Sequence, residues 1–241
     1  MVIEYETGRG IDIGETPKTT SHLVLRCIDF RTNAATARWL ARRGHADGSY
    51  HLFASAGASG NSSGFLEAAS QHKPDLIKVI DHEDCGFYKT NGFYELFEAD
   101  GHAPHVVHHH NLETLGSELH KLNTGTEYRY NLLPLNKKER KRHTCAATTI
   151  ILGEPEIVKA ASEAMRDLGL ANNHDVIARP YLLSPRDESI WNDLEISLKL
   201  HKPKKIYIFD RNEANALALA DSARQVAGHI PVEPKVIQLA A

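Results

Sequence analysis

The chain of 241 residues reads as an α/β protein, a mostly parallel β-sheet flanked by helices. Two observations predict this. Strand-like apolar runs alternate with helix-like stretches from one end to the other, as when each strand returns to one sheet through a helical crossover. Within the helix-like stretches apolar residues recur every three or four positions, as in Ile157, Ala160, Ala161, Ala164 and Leu168. Hydrophobic residues at 41% and charged residues at 24% are ordinary globular usage, enough to bury a self-sufficient core.

In chain order, the apolar run His22 to Ile28 is the first strand and Asn33 to Arg43 the first helix. Tyr50 to Ser55 and Ser62 to His72 repeat the pair, and Leu76 to Ile80 is the third strand. Asn91 to Leu122 then breaks the alternation, reading as one or two helices around a histidine-rich loop. Asn123 to Thr144, with the basic run Lys137-Lys138-Glu139-Arg140-Lys141-Arg142, reads as an exposed excursion. Alternation resumes with strands at Ala146 to Leu152, Asp175 to Leu182 and Lys204 to Phe209, and helices at Pro155 to Leu168, Glu188 to Leu200 and Asn212 to Val226. No internal repeat or low-complexity linker is apparent. The organisation expected is an arm over residues 1–20 and a single domain over 21–241, with an inserted loop at about 123–144.

Lys and Arg number 28 against 31 Asp and Glu, so a net charge of -3 exerts no general pull on nucleic acid or an anionic membrane. No apolar run approaches the roughly 18 residues of a membrane span, and Met1 to Thr20 has no signal-peptide core. A small-molecule substrate and a cytoplasmic location are the expectations. Three cysteines make no disulfide framework, so each is a thiol or a ligand.

The densest chemical signal is Cys27-Ile28-Asp29-Phe30-Arg31 at the end of the first strand, with His82-Glu83-Asp84-Cys85-Gly86 at the end of the third. Side chains two apart on a strand share a face, which brings Cys27, Asp29 and Arg31 together. If the sheet is doubly wound in the order 2-1-3, the two motifs flank the crevice where such sheets bind ligands. Two thiolates and an imidazole suit zinc, with a fourth position open to water. Other readings stay open: a strand-end cysteine that only packs, and an Asp29–Arg31 pair that is only structural. His102, His105, His108, His109 and His110 read as a solvated loop, with a second metal site or a proton-shuttling loop as the alternative. Cys145 reads as core. Gly57-Ala58-Ser59-Gly60 is neither a dinucleotide fingerprint nor a Walker loop, and Asn33 stands where a cysteine phosphatase loop would need arginine.

These motifs resemble the β-class carbonic anhydrases, whose pattern is C-x-D-S-R followed by H-x-x-C-G. Ala56-Gly57 is similar to the centre of the family's R-N-A-G-N strand end, and Gly64-Phe65-Leu66-Glu67-Ala68-Ala69 to its S-L-E-x-A helix start. The resemblance runs from Leu23 to Gly86. It implies a Zn2+ ion on Cys27, His82 and Cys85, an Asp29–Arg31 dyad orienting zinc-bound hydroxide, a substrate-positioning backbone near Gly57, hydration of carbon dioxide to bicarbonate, and a homodimer or higher homo-oligomer. In some members the Asp itself closes the zinc site. Phe30 replaces the family's Ser, and Ala54-Ser55-Ala56-Gly57-Ala58 lacks its Arg and Asn. Relatives with this site also hydrolyse carbonyl sulfide and carbon disulfide, an alternative that Phe30 suits. A regulatory or binding protein with a structural zinc is the third.

Overall fold

The structure, a computed structural model, describes residues 22–46, 48–122, 125–180 and 188–238. Its first half runs β1 (His22–Cys27), α1 (Asn33–Ala41), β2 (His51–Ser55), α2 (Ser63–His72), β3 (Leu76–His82), α3 (Gly86–Thr90), α4 (Phe93–Ala99), α5 (Val106–Leu122) and β4 (Glu127–Leu133). Its second half runs α6 (Lys137–Arg140), β5 (Ala147–Leu152), α7 (Pro155–Asp167), β6 (His174–Arg179), α8 (Glu188–His201), β7 (Ile206–Asp210), α9 (Glu213–Ala227) and β8 (Val232–Val236). The eight strands form one sheet in the order β4-β3-β1-β2-β6-β5-β7-β8. Every neighbouring pair is parallel except β2 with β6. β1 thus lies between β2 and β3, as the doubly wound reading requires.

The strands form where they do because helices cover both faces, so β1, β3, β5, β6 and β7 are buried along their whole length. One core cluster packs Phe65 of α2, Leu112 and Leu115 of α5, Leu194 of α8 and Leu219 of α9 against one face. On the other face Leu40 of α1 and Ile157, Ala161 and Met165 of α7 pack against Leu52, Ile151 and Phe209. Cys145 is buried, as expected of a core thiol.

Three expectations need correction. The segment expected as an inserted loop contributes β4, paired in parallel with β3 from Leu76↔Glu127 to His82↔Leu133. Its half-exposed Glu-Tyr-Arg-Tyr-Asn pattern is that of an edge strand, which lacks the continuous apolar run of a central one. Only the basic run is an exposed excursion, as the short helix α6 capped by Asn136. The histidine run is not one loop: His108, His109 and His110 lie near the start of α5, whose buried face includes Val107, His108, Leu112, Leu115 and Leu119. The proposed arm, and residues 181–182 of the expected fifth strand, lie outside the described residues.

The third correction concerns repeats. The strand order is the same in each half, 2-1-3-4 read outward from the middle of the sheet. Leu23 of β1 pairs with His51 of β2 and Ile77 of β3, and Thr148 of β5 with Asp175 of β6 and Ile206 of β7. Counting three residues on along β2 and β6 reaches Ala54 and Ala178, the antiparallel pair that joins the halves. Equivalent residues facing each other across an antiparallel seam are what a two-fold axis through that seam requires. The halves also share His72-Lys73-Pro74 and His201-Lys202-Pro203, in which Lys73 and Lys202 follow their helices with φ of 47° and 48°. Only these short stretches of sequence repeat, which is why the pattern is invisible until the strands are paired.

Candidate metal centre

Alternation along β1 points Leu23, Leu25 and Cys27 to one face and Val24 to the other. The chain then turns at Asp29, whose Oδ1 accepts a hydrogen bond from the Arg31 backbone N–H at 2.9 Å and caps a short 3-10 turn over Phe30–Thr32. The turn swings the Arg31 guanidinium back onto its own cap. Nε donates to both Asp29 oxygens at 3.0 Å and Nη2 to Oδ2 at 2.5 Å. The other edge of the guanidinium donates to Asp84, Nη1 to Oδ2 and Nη2 to the backbone carbonyl, both at 3.0 Å. One arginine therefore ties the first motif to the second.

In the second motif Asp84 adopts φ of 60°, a left-handed turn that aspartate tolerates, between His82 at the end of β3 and Cys85 at the start of α3. The ligand atoms of Cys27, His82 and Cys85 consequently lie within 4.8 Å of one another, all three residues buried. Among the described residues this is the one such cluster, and it can hold a metal ion.

The donor set fits zinc. Two thiolates each about 2.3 Å from a tetrahedral zinc lie about 3.8 Å apart, and the Cys27 and Cys85 Sγ atoms are 3.8 Å apart. His82 Nδ1 donates to the Glu83 carbonyl at 2.8 Å, which fixes the tautomer and leaves Nε2, buried and without a partner, as the ligating atom. A metal-ligating imidazole is held in this way as a rule, whereas a packing histidine satisfies both nitrogens.

Electrostatics agree. The hydrogen bond between Cys27 and Cys85 and burial push the Cys27 thiol well above its ordinary value, so this sulfur ionises only with a cation beside it. Burial would also raise the Asp29 carboxyl, but His82, Arg31 and His201 around it outweigh burial and hold it well below the carboxylate range. Asp29 is thus a buried anion beside the ligands, its Oδ2 3.7 Å from His82 Nε2.

The second half completes the surroundings. β6 clamps the loop that carries the dyad: Val176 N–H donates to the Ile28 carbonyl at 3.0 Å, Phe30 N–H to Asp175 Oδ1 at 3.0 Å, and Asn33 Nδ2 to the His174 carbonyl at 2.8 Å. His201, at the end of α8, gives Nδ1 to Asp175 Oδ2 at 2.7 Å and turns Nε2 toward Asp29 Oδ2 at 3.8 Å. Phe30 packs edge-on against His201 and lies under the Arg142 guanidinium. In the second half itself the positions equivalent to Cys27, Asp29 and His82 are Leu152, Glu154 and Arg211. The loop after β7 reaches its helix in two residues where the loop after β3 takes three, so Cys85 has no counterpart.

The structure places the five residues that sequence reading groups, Cys27, Asp29, Arg31, His82 and Cys85, beside one another, and shows supports that the reading misses. Asp84 and His201 escaped it because one sits inside a motif read only for His and Cys, and the other lies across the sheet seam. His108 was assigned to a solvated loop. It is fully buried, its Nδ1 donating to Asp81 Oδ2 at 3.0 Å and its Nε2 accepting from the Tyr94 hydroxyl at 2.8 Å, and that hydroxyl accepts from the Cys85 N–H at 3.0 Å. A helical count from Leu112 and Leu115 back to His108 was the available signal. Gly57 has φ of 80° after β2, and a Cβ there would stand 2.2 Å from Phe87 Cδ1, so glycine is required by the packing of α3.

No helix among the described residues is long and apolar enough to cross a membrane. Comparison with protein-family models, with curated proteins and with solved structures finds no match to this chain.

Proposed function

We propose that the chain is a zinc enzyme that hydrates a small linear electrophile, with carbon dioxide as the substrate and bicarbonate as the product. The observation that carries this reading is Asp29: a buried carboxylate held by three side-chain contacts from Arg31, adjacent to the ligand atoms of Cys27, His82 and Cys85. Zinc in such a site lowers the pKa of water toward about 7 and supplies hydroxide at neutral pH. Arg31 fixes the direction of the Asp29 acceptor lone pairs, and Asp84 fixes Arg31 from its far side. Asp29 accepts the hydrogen of the attacking oxygen and so turns that oxygen's lone pair toward the substrate carbon. The resemblance of the two motifs to the β-class carbonic anhydrases supports the same chemistry. All the residues named belong to one chain.

Phe30, which stands where the β-class carbonic anhydrases have Ser and packs against His201 and Arg142, favours a second substrate class on the same site, carbonyl sulfide or carbon disulfide. Elemental analysis combined with stopped-flow carbon dioxide hydration and sulfide-release assays tests both. The expected result is about one zinc per chain, lost in Cys85→Ala, with turnover of at least one substrate. Zinc-loaded protein inert toward all three between about pH 6 and 9 would overturn catalysis and leave a structural metal closed by Asp29.

A further inference from the structure

On the face of the sheet away from Cys27, α1 and α7 splay apart over the seam between the halves and leave a cavity of about 280 Å³. Its floor is apolar, Leu40, Leu52, Ile151 and Val176. Two arginines line it, Arg26 from β1 and Arg166 from α7, and no aspartate or glutamate does. We propose that this cavity is a binding site for a small oxyanion, the phosphate or carboxylate group of a small molecule, held between Arg26 and Arg166.

Arg26 is buried, 7% exposed, and its hydrogen bonds go to neutral acceptors: Nε to the Cys27 carbonyl, Nη2 to Thr32 Oγ1 and Asn33 Oδ1. Its Nη1 has no partner among the described residues. The carboxylates whose fields reach it are committed elsewhere, Asp29 to Arg31 and Asp175 to His201, Ser197 and the Phe30 N–H. A buried guanidinium with neutral partners is a costly arrangement. Water filling the cavity satisfies donors and does not neutralise charge, whereas an oxyanion does both and matches the planar fork.

Thr36 of α1 is also in the lining, 2% exposed, and its Oγ1 is buried with no hydrogen-bond partner among the described residues. His174, also in the lining, is hydrogen-bonded through Nδ1 to Thr149 Oγ1 at 2.8 Å, and Ser162 of α7 adds a hydroxyl. The cavity lies on the opposite face of the sheet from Cys27, and Arg26, Asn33, His174 and Val176 of its lining also bond to β1 or to the loop that follows it.

Isothermal titration of the full chain with inorganic phosphate and with acetate, at constant ionic strength in chloride, tests the proposal. Saturable binding of either is expected, and the better of the two identifies the anion's shape. Arg166→Glu, on the exposed rim, should weaken the binding at least tenfold with metal content unchanged. Absence of saturable binding of both anions to the wild-type chain, or wild-type binding by folded Arg166→Glu, would overturn it.

Discussion

Replacing Asp29 by Asn separates the contribution of the dyad to folding from its contribution to chemistry. Asp29 and Arg31 have side chains only 2% and 5% exposed, so solvent screens their attraction little. Removing one partner of a buried pair costs about 3–5 kcal/mol. Here the lower end applies, because Arg31 keeps both its bonds to Asp84. A loss of about 3 kcal/mol lowers the melting temperature of a chain this size by roughly 6–12 °C. If Asp29 also orients the attacking oxygen, turnover should fall further, by about 10²–10³-fold, the usual consequence of losing one preorganised hydrogen bond at the reacting centre. Differential scanning fluorimetry, zinc analysis and stopped-flow hydration on one preparation read all three quantities. A folded Asp29→Asn protein that keeps its zinc and its full activity refutes the orienting role. One that loses its zinc makes Asp29 a ligand.

His174, with its pKa lowered to about 4 by burial and the neighbouring Arg26, is neutral in the native state but titrates near 6.5 when unfolded. The unfolded chain therefore takes up the proton first, and stability should fall by about 3 kcal/mol as pH drops from 6.5 to 4, a slope in urea-denaturation midpoints that His174→Gln reduces. Asp193→Ala removes the carboxylate of a fully buried 2.7 Å ion pair with Arg179 and should cost about 3 kcal/mol by chemical denaturation, more than a double replacement of the pair by Leu and Met. Gly57→Ala forces a Cβ against Phe87 at a φ of 80°, so a stability loss of more than about 1 kcal/mol is expected in thermal melts, part of it recovered by adding Phe87→Ala.

The parallel sheet and the cluster of Cys27, His82 and Cys85 are legible in the sequence because each rests on local pattern: buried strands read as apolar runs, and ligands sit at strand ends with fixed spacing. β4 and β8 are not legible, since edge strands carry polar residues on their open sides and do not stand out from loops. His108 is hidden for a related reason. A histidine inside a run of histidines reads as polar, and only the period of Leu112, Leu115 and Leu119 places it on the buried face of α5. His201 and Asp175 are illegible in principle, because what brings them to Asp29 is the antiparallel junction of β2 and β6, a contact between residues far apart in the chain.

That junction also decides how the molecule bears load. Its ladder registers one pair, Ala54 with Ala178. Much of the fastening falls to Arg179, which donates to the Ala54 carbonyl at 2.6 Å and is anchored by Asp193, itself bonded to the Ala56 N–H at 2.9 Å. With the β6 bonds to Ile28, Phe30 and Asn33, side-chain and loop contacts rather than a ladder hold the seam. All three candidate ligands stand on one side of it, and His201, Asp175 and the clamp on Phe30 stand on the other. The cluster of Cys27, His82 and Cys85 and the groups that face Asp29 thus depend on different halves of the sheet, so a substitution at the seam is expected to disturb the surroundings of Asp29 before it disturbs the cluster.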